Sequence, residues 1–195
     1  FIRRQGSVRQ VIEPVAQIIM SPYGGNPNEI PNEDSRSLEF DDTNLFSLNR
    51  FPGYDRVESG PRANLGLKAS VYGASGGYTN LTVGQVFRLK DDDTFAEKTG
   101  LDDHRSDYVM ALHIAPSAFF DLTNRVRLDR NNFSLRRNEI YLAIGPKYLR
   151  FATTYVSLER ELTTDELEAR EEIYNSLRWE IDERWIATLE SRRDL

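Results

Sequence analysis

Apolar and polar side chains alternate with a two-residue period along most of this chain. In the first clear run, Ile12, Pro14, Ala16, Ile18 and Met20 share one face, while Glu13 and Gln17 lie on the other. A second run is cleaner. There Ala63, Leu65, Leu67, Ala69 and Val71 alternate with Asn64, Gly66, Lys68, Ser70 and Tyr72. Successive side chains of a strand point to opposite faces, so this period predicts strands with one apolar and one polar face. A half-buried strand of a soluble sandwich carries the same alternation, and a single segment does not separate the two architectures.

Number and punctuation separate them better. The pattern predicts about nine strands, at 8–20, 61–73, 77–89, 107–117, 122–130, 132–144, 148–158, 169–181 and 184–195. Most approach the roughly 9–11 residues that a tilted strand needs to cross a bilayer, whereas strands of globular proteins run to about 5–6. Short connections (Gly73–Gly77, Ser117–Asp121, Gly145–Lys147, Asp182–Glu183) alternate with Ser21–Gly60, Lys90–Ser106, Arg130–Asn131 and Glu159–Glu168. Short turns on one side and mostly longer loops on the other is the outer-membrane barrel pattern, the short turns being periplasmic. Tyr78, Phe119, Phe120, Tyr148 and Trp185 cluster beside the short turns, where an interfacial aromatic girdle belongs. The predicted fold is therefore all-β, an antiparallel meander of long strands. Bacterial single-chain barrels have even strand numbers, so an odd set of strands is expected to remain an open sheet, a segment of a barrel wall.

Two stretches break the pattern. Between Phe133 and Ile144 the apolar parity switches, from Phe133 and Leu135 to Ile140, Leu142 and Ile144, and a β-bulge near Arg137–Asn138 would explain it. The segment Leu158–Ile181 is rich in Glu, Arg and Leu, which are good helix formers. Ala169, Ile173, Leu177 and Ile181 are spaced by four, which suits helix and strand alike. Tyr174, Trp179 and the following Asp-Glu-Arg-Trp turn favour a strand hairpin, with a helical turn near Thr164–Glu168.

Composition changes the picture only at the margins. The 195 residues are 39% hydrophobic and 29% charged, with a formal net charge of −6 and no cysteine. A mean hydropathy of −0.56 looks soluble, but a barrel strand averages polar even when one face lies in hydrocarbon. No run of about 18 apolar residues occurs, which excludes an ordinary transmembrane helix. The acidic balance argues against nucleic acid as the main partner. Absence of cysteine removes disulfides, thiolate catalysis and Cys-based metal sites. The chain begins at Phe1 without an initiator Met or a signal peptide, and it is expected to be a piece cut at both ends, one partial barrel domain over 1–195.

The candidate chemistry lies in the loops and on the polar face. Forty residues without obvious secondary structure, 21–60, are expected to be functional or disordered. Phe40, Leu45, Phe46, Phe51 and Tyr54 are too many large apolar groups for a solvated tail, so this loop is expected to fold over or into the lumen. Asp55 and Arg56, with Asp41 and Asp42 nearby, are its candidate anchors through charge-assisted hydrogen bonds. Such a loop either shapes a passage or contacts a plug, or it only caps and stabilises the barrel. On the polar face, Glu13, Gln17, Lys68, Arg125, Arg127, Glu172 and Arg178 are mixed in sign, as expected of an aqueous lumen. The acidic groups Asp91–Asp93 and Asp102–Asp103–His104 are hard oxygen donors, but without EF-hand spacing they read as a solvated loop rather than a metal site. His113 shares its parity with Val109, Ala111 and Ala115 and reads as a hydrogen-bonded structural histidine. No nucleophile elbow, phosphate loop or zinc motif is present, and neither catalysis nor a cofactor is expected.

Two segments carry a family resemblance: Gln10–Ser21, QVIEPVAQIIMS, and Asn32–Gly60, NEDSRSLEFDDTNLFSLNRFPGYDRVESG. The Gln-Val-Ile-Glu-Pro strand, the Asn44–Leu45–Phe46 element, the Gly53–Tyr54–Asp55–Arg56 element and the hairpin with Val83–Gly84–Gln85 follow one another in an order that resembles the LptD barrel. The likeness covers essentially the whole chain and is densest from Val8 to Leu89. It implies an integral outer-membrane protein of a Gram-negative bacterium. The implied function is a part of the translocon that inserts lipopolysaccharide (LPS) into the outer leaflet, in a barrel of about 26 strands. Implied partners are LPS, membrane lipids, a plug lipoprotein of the LptE type, and periplasmic LPS-bridge proteins that would dock on an N-terminal jellyroll absent from this sequence. Asn44, Phe46, Tyr54, Asp55 and Arg56 lie in the elements that carry the resemblance, and with Asp41 and Asp42 they are the structural candidates of the loop. A porin or receptor-type barrel that moves small solutes is the competing reading; an outer-membrane enzyme and a soluble sandwich are further ones.

Overall fold

The computed structural model describes residues 1–24, 26, 31–35, 38–89, 95, 99–159 and 170–195. The alternating segments form β1 (Ile2–Gln5), β2 (Val8–Ile19), β3 (Arg62–Tyr72), β4 (Tyr78–Arg88), β5 (Tyr108–Ser117), β6 (Phe120–Leu128), β7 (Leu135–Ile144), β8 (Leu149–Leu158), β9 (Arg170–Glu180) and β10 (Ile186–Asp194). They make one ten-stranded antiparallel meander in sequence order, which does not close: β1 and β10 are its edges. The all-β meander read from periodicity is the observed fold.

The differences from expectation are local. A tenth strand, β1, pairs its four residues with Val8–Val11 through a turn in which Gly6 takes φ 61°. Its Ile-Arg-Arg-Gln sequence is too short and polar to give a periodic signal. The segment 170–180 is a strand, paired with β8 and with β10 along its length, so tertiary pairing overrides the helix-forming composition. The expected helical turn at Thr164–Glu168 lies outside the described residues, as do Asp91–Asp93. The β6–β7 connection is longer than the expected Arg130–Asn131 turn. It runs from Asp129 to Ser134, closed by Asp129 N donating to Ser134 O (2.9 Å), with Phe133 at φ 59°. The register shift that flips the parity of β7 sits where Arg127 and Leu128 face Arg137 and Leu135, one residue before the expected position. Arg136 is the extra residue there.

Register assigns every side chain to a face. Glu13 pairs with Lys68, Gln17 with Asn64, and Gly66 with Gly84, so these share the polar face. Val109, Ala111 and His113 continue that face into Arg127, Arg125 and Thr123, and then into Arg137, Glu139 and Tyr141. The opposite face carries Ile12, Ile18, Leu65, Leu67 and Val71, from 39% (Leu67) to 74% (Ile18) exposed. Among the described residues nothing covers it and no second sheet packs on it, which removes the sandwich reading. Polar groups on that face satisfy one another: Asn124 Nδ2 donates to Asn138 Oδ1 (2.7 Å) and Asn175 Nδ2 to Ser191 Oγ (3.4 Å).

The buried apolar cluster lies on the polar face, an inversion of the usual arrangement. It consists of Val86 of β4, Val109 of β5, and Phe40, Leu45, Phe51, Phe95 and Leu101 from the β2–β3 and β4–β5 loops. Both loops leave the end of the sheet opposite the short turns, and both fold back onto the wall.

Candidate functional site

The described residues of the 21–60 loop cap part of the wall, and their seat is cut into the sheet by two glycines. Gly66 and Gly84 face each other across β3 and β4. A Cβ at Gly66 would stand 2.7 Å from Phe46 Cζ, and one at Gly84 only 2.4 Å from Leu45 Cδ2. Leu45 and Phe46 thus rest on bare backbone, and Lys68 Nζ lies 5.4 Å from the centroid of the Phe46 ring. Phe51 stacks on Phe95 of the neighbouring loop, with ring centroids 4.8 Å apart. That contact makes the two loops one lid.

Beneath the lid lies a buried ionic centre. Glu58 Oε1 accepts from Arg50 Nη1 (2.5 Å) and from Arg88 Nη2, and pairs with Arg62 Nε (3.3 Å). None of the four side chains is more than 3% exposed. Arg50 also donates to the carbonyls of Asn44 (3.1 Å) and Leu45 (2.7 Å) and to Asn64 Oδ1 (3.1 Å). Asn64 in turn donates to Gln17 Oε1 (2.7 Å), carrying the network into β2. Burial lowers the pKa of the Arg50 guanidinium to about 10, while the Glu58 carboxylate holds it up. Two of the four groups belong to the loop and two to the wall, so the centre joins one to the other.

A second set of contacts closes the lid on the β6–β7 side. Glu39 lies 3.6 Å from Arg127 and 3.7 Å from Arg137, Asp41 3.9 Å from Arg137, and Asp42 3.2 Å from Arg125. Burial raises the Asp42 carboxyl above its ordinary range, against the pull of Arg125. Arg127 Nη1 also donates to Thr99 O (2.9 Å), which ties in the second loop.

The predicted loop residues divide by role. Asn44 shapes the turn, accepting from Asp41 N (3.2 Å) and donating to Glu39 O (2.7 Å). Asp41 accepts from Thr43 N (2.9 Å) and Thr43 Oγ1 (2.6 Å). Asp55 does not reach the wall. It forms a reciprocal clasp inside the loop, taking the amides of Glu33 (2.9 Å) and Asp34 (3.2 Å) while Asp34 takes those of Tyr54 (2.8 Å) and Asp55 (3.2 Å). The Tyr54 amide is the main reason that the Asp34 carboxyl lies below its ordinary range. Arg56 donates to the Asp55 carbonyl (2.9 Å). Tyr54 is 98% exposed.

Sequence reasoning missed the ionic centre. Arg62 and Arg88 carry the polar-face parity, but nothing in their spacing brings them to Arg50 and Glu58. The acidic group Asp102–Asp103 is not an open cation site: Arg130 sits against it, 3.1 Å from each carboxylate. His113 is 3.1 Å from Asp121 and meets the Tyr78 ring edge-on at 5.0 Å.

Comparison with known proteins follows the same line. The family model described as LptD, LPS transport system D, matches residues 1–185. The LPS-assembly protein LptD of Aeromonas hydrophila is 36% identical over 83 residues, 42% of this chain and 10% of that protein. That of Shewanella denitrificans is 27% identical over 154 residues, 76% of this chain and 20% of that protein. That of Escherichia coli K12 is 31% identical over 86 residues, 44% of this chain and 11% of that protein. The chain thus spans a small part, 10 to 20%, of the length of these relatives.

Proposed function

The chain belongs to the LptD family, LPS transport system D, and from that premise we propose that it is a wall segment of the outer-membrane translocon that inserts LPS into the outer leaflet. The apolar face meets lipid and the polar face lines the lumen. The short turns lie on the periplasmic side, and the 21–60 and 90–106 loops on the outer side. In this reading the partners are LPS, membrane lipids, an LptE-type lipoprotein in the lumen and periplasmic LPS-bridge proteins at a domain outside this sequence.

The observation that carries the reading is the inverted burial. A sheet that leaves Ile18, Leu65, Leu67 and Val71 exposed while loops cover part of its polar face, from β3 to β7, suits a bilayer on one side and a partly filled interior on the other. The same lid argues against a solute porin, whose lumen stays open to water. A structural lid is compatible with LPS leaving through another part of the wall.

The test uses the full-length protein in cells that depend on it. Asp55→Ala removes half of the clasp at residues 33–34 and 54–55. It should lower LPS at the cell surface and sensitise cells to large antibiotics more than alanine at Asp91–Asp93 does. Equal, negligible effects on surface LPS would remove the loop from the transport function.

A further inference from the structure

The short-turn rim carries a site that the lid does not use. The β5–β6 turn, the β7–β8 turn and the end of β9 surround an open depression of about 990 Å³. Phe119 and Tyr148 wall it, each 60% exposed. Ala118 and Pro146 add to the apolar lining, and Lys147, Arg150, Arg178 and Glu180 supply its charges. Three cations therefore face one carboxylate in a hollow that is otherwise apolar.

Two of these cations are placed against their own repulsion. Arg150 and Arg178 are direct partners in the β8–β9 register and share the polar face. Like charges directly opposite each other destabilise a sheet. Arg178 Nη2 donates to Glu180 Oε1 (2.8 Å), which offsets one of them. Among the described residues, Arg150 Nη1 donates to neutral carbonyls, Ala118 O (2.9 Å) and Gly145 O (3.3 Å), and forms no ion pair. Those bonds fix the guanidinium without cancelling its charge. A fixed, uncancelled arginine beside a lysine and two exposed aromatic rings matches an anion that carries an apolar body. Forked guanidinium donors suit phosphate oxygens in particular.

We propose that this rim is a docking station for the phosphorylated head of LPS at the short-turn mouth of the wall. The inference rests on the transport reading above and adds a place to it. Register decides the source of the phosphate. Arg150 and Arg178 lie on the face opposite Leu149 and Trp179, so a bilayer phospholipid packed on the apolar face does not meet them. An amphiphile moving along the polar face does.

The experiment uses the full-length protein in detergent, with a photo-crosslinking phenylalanine analogue in place of Tyr148 and purified LPS as the probe. An LPS adduct is expected. Its half-saturating LPS concentration should rise about ten-fold in the Lys147→Glu, Arg178→Glu double variant, as expected for lost charge-assisted contacts. Arg184→Glu, on the neighbouring turn, should leave it unchanged. Arg150 is left intact because it holds the two turns together. The proposal is overturned if no adduct forms, if dephosphorylated LPS labels as well, or if the double variant binds like the parent. It is equally overturned if phosphatidylglycerol labels and LPS does not, or if an acidic peptide labels in place of LPS. Surface LPS separates this site from the function it rests on. Normal display with no adduct removes the site alone, and an adduct in a protein that displays no LPS removes the transport reading alone.

Discussion

Glu58→Gln tests the ionic centre with almost no change of shape. Gln keeps the volume of Glu and removes one negative charge, so no cavity confuses the result. In the wild-type protein one oxygen, Glu58 Oε1, serves Arg50 at 2.5 Å, Arg62 at 3.3 Å and Arg88 together. All of these side chains are 3% exposed or less, so water cannot take over the role of the carboxylate. Removing one partner of a buried ion pair costs about 3–5 kcal/mol. Sharing by three guanidiniums places this case toward the upper end. Arg50 adds to the cost, because burial has already lowered its pKa to about 10 against the upward pull of Glu58. The penalty falls on docking rather than on strand pairing, since Arg50 and Glu58 belong to the loop and Arg62 and Arg88 to β3 and β4. At about 1.4 kcal/mol per factor of ten, the undocked population should rise roughly 10²–10⁴-fold. Tryptic cleavage after Arg50 or Arg56 tracks that population when reclosing is fast. Glu13→Gln is the matched control, an exposed carboxylate opposite Lys68 whose loss should cost less than about 0.5 kcal/mol. If Glu58→Gln is cleaved within three-fold of wild type, with three-fold read as about 0.6 kcal/mol, the buried pairing does not hold the lid and the reasoning fails.

Two further outcomes follow from the same lid. Gly84→Ala places a Cβ 2.4 Å from Leu45 Cδ2 and 2.7 Å from the Leu65 carbonyl oxygen. Leu45 can move but the backbone cannot, so overpacking should cost about 1–3 kcal/mol. It should show as loss of amide protection at 44–46; unchanged exchange there would mean that the seat is slack. The second concerns pH. The Asp34 carboxyl is held below its ordinary range, first by the Tyr54 amide. A depressed carboxyl stabilises above its unfolded value of 3.8 and loses that contribution as pH falls through its lower folded value. Exchange protection of Tyr54 and Asp55 should therefore be flat from neutral pH down to about 4 and collapse below it. A loss already complete near pH 6 would point to another group.

Much of this protein is local, and what is local was legible in the sequence. A two-residue period over eleven residues, as in Arg62–Tyr72, fixes both strand and faces, because a strand has only two sides. Turn glycines mark where the chain reverses. The crowd of aromatics between Phe40 and Tyr54 says that the loop buries something, since a solvated loop cannot hold that much apolar surface. The ends of strands and the four-residue β1 escaped, because one isoleucine followed by three polar residues carries no period. The strand at 170–180 was ambiguous for a related reason: a spacing of four is common to helix and sheet, and pairing with β8 and β10 chose between them.

Only the tertiary structure decided what the loop sits on. Arg50, Glu58, Arg62 and Arg88 are spread over 39 positions of sequence with no motif joining them, and they meet because β3 and β4 pair in a register that puts Arg62 opposite Arg88. The glycine seat is equally invisible in one dimension. Gly66 and Gly84 are ordinary strand glycines until pairing sets them face to face and Leu45 fills the gap. Alternation tells which side of a strand is polar, because that follows from backbone geometry alone. Which charge finds which partner depends on long-range register and loop closure, and those are properties of the folded chain.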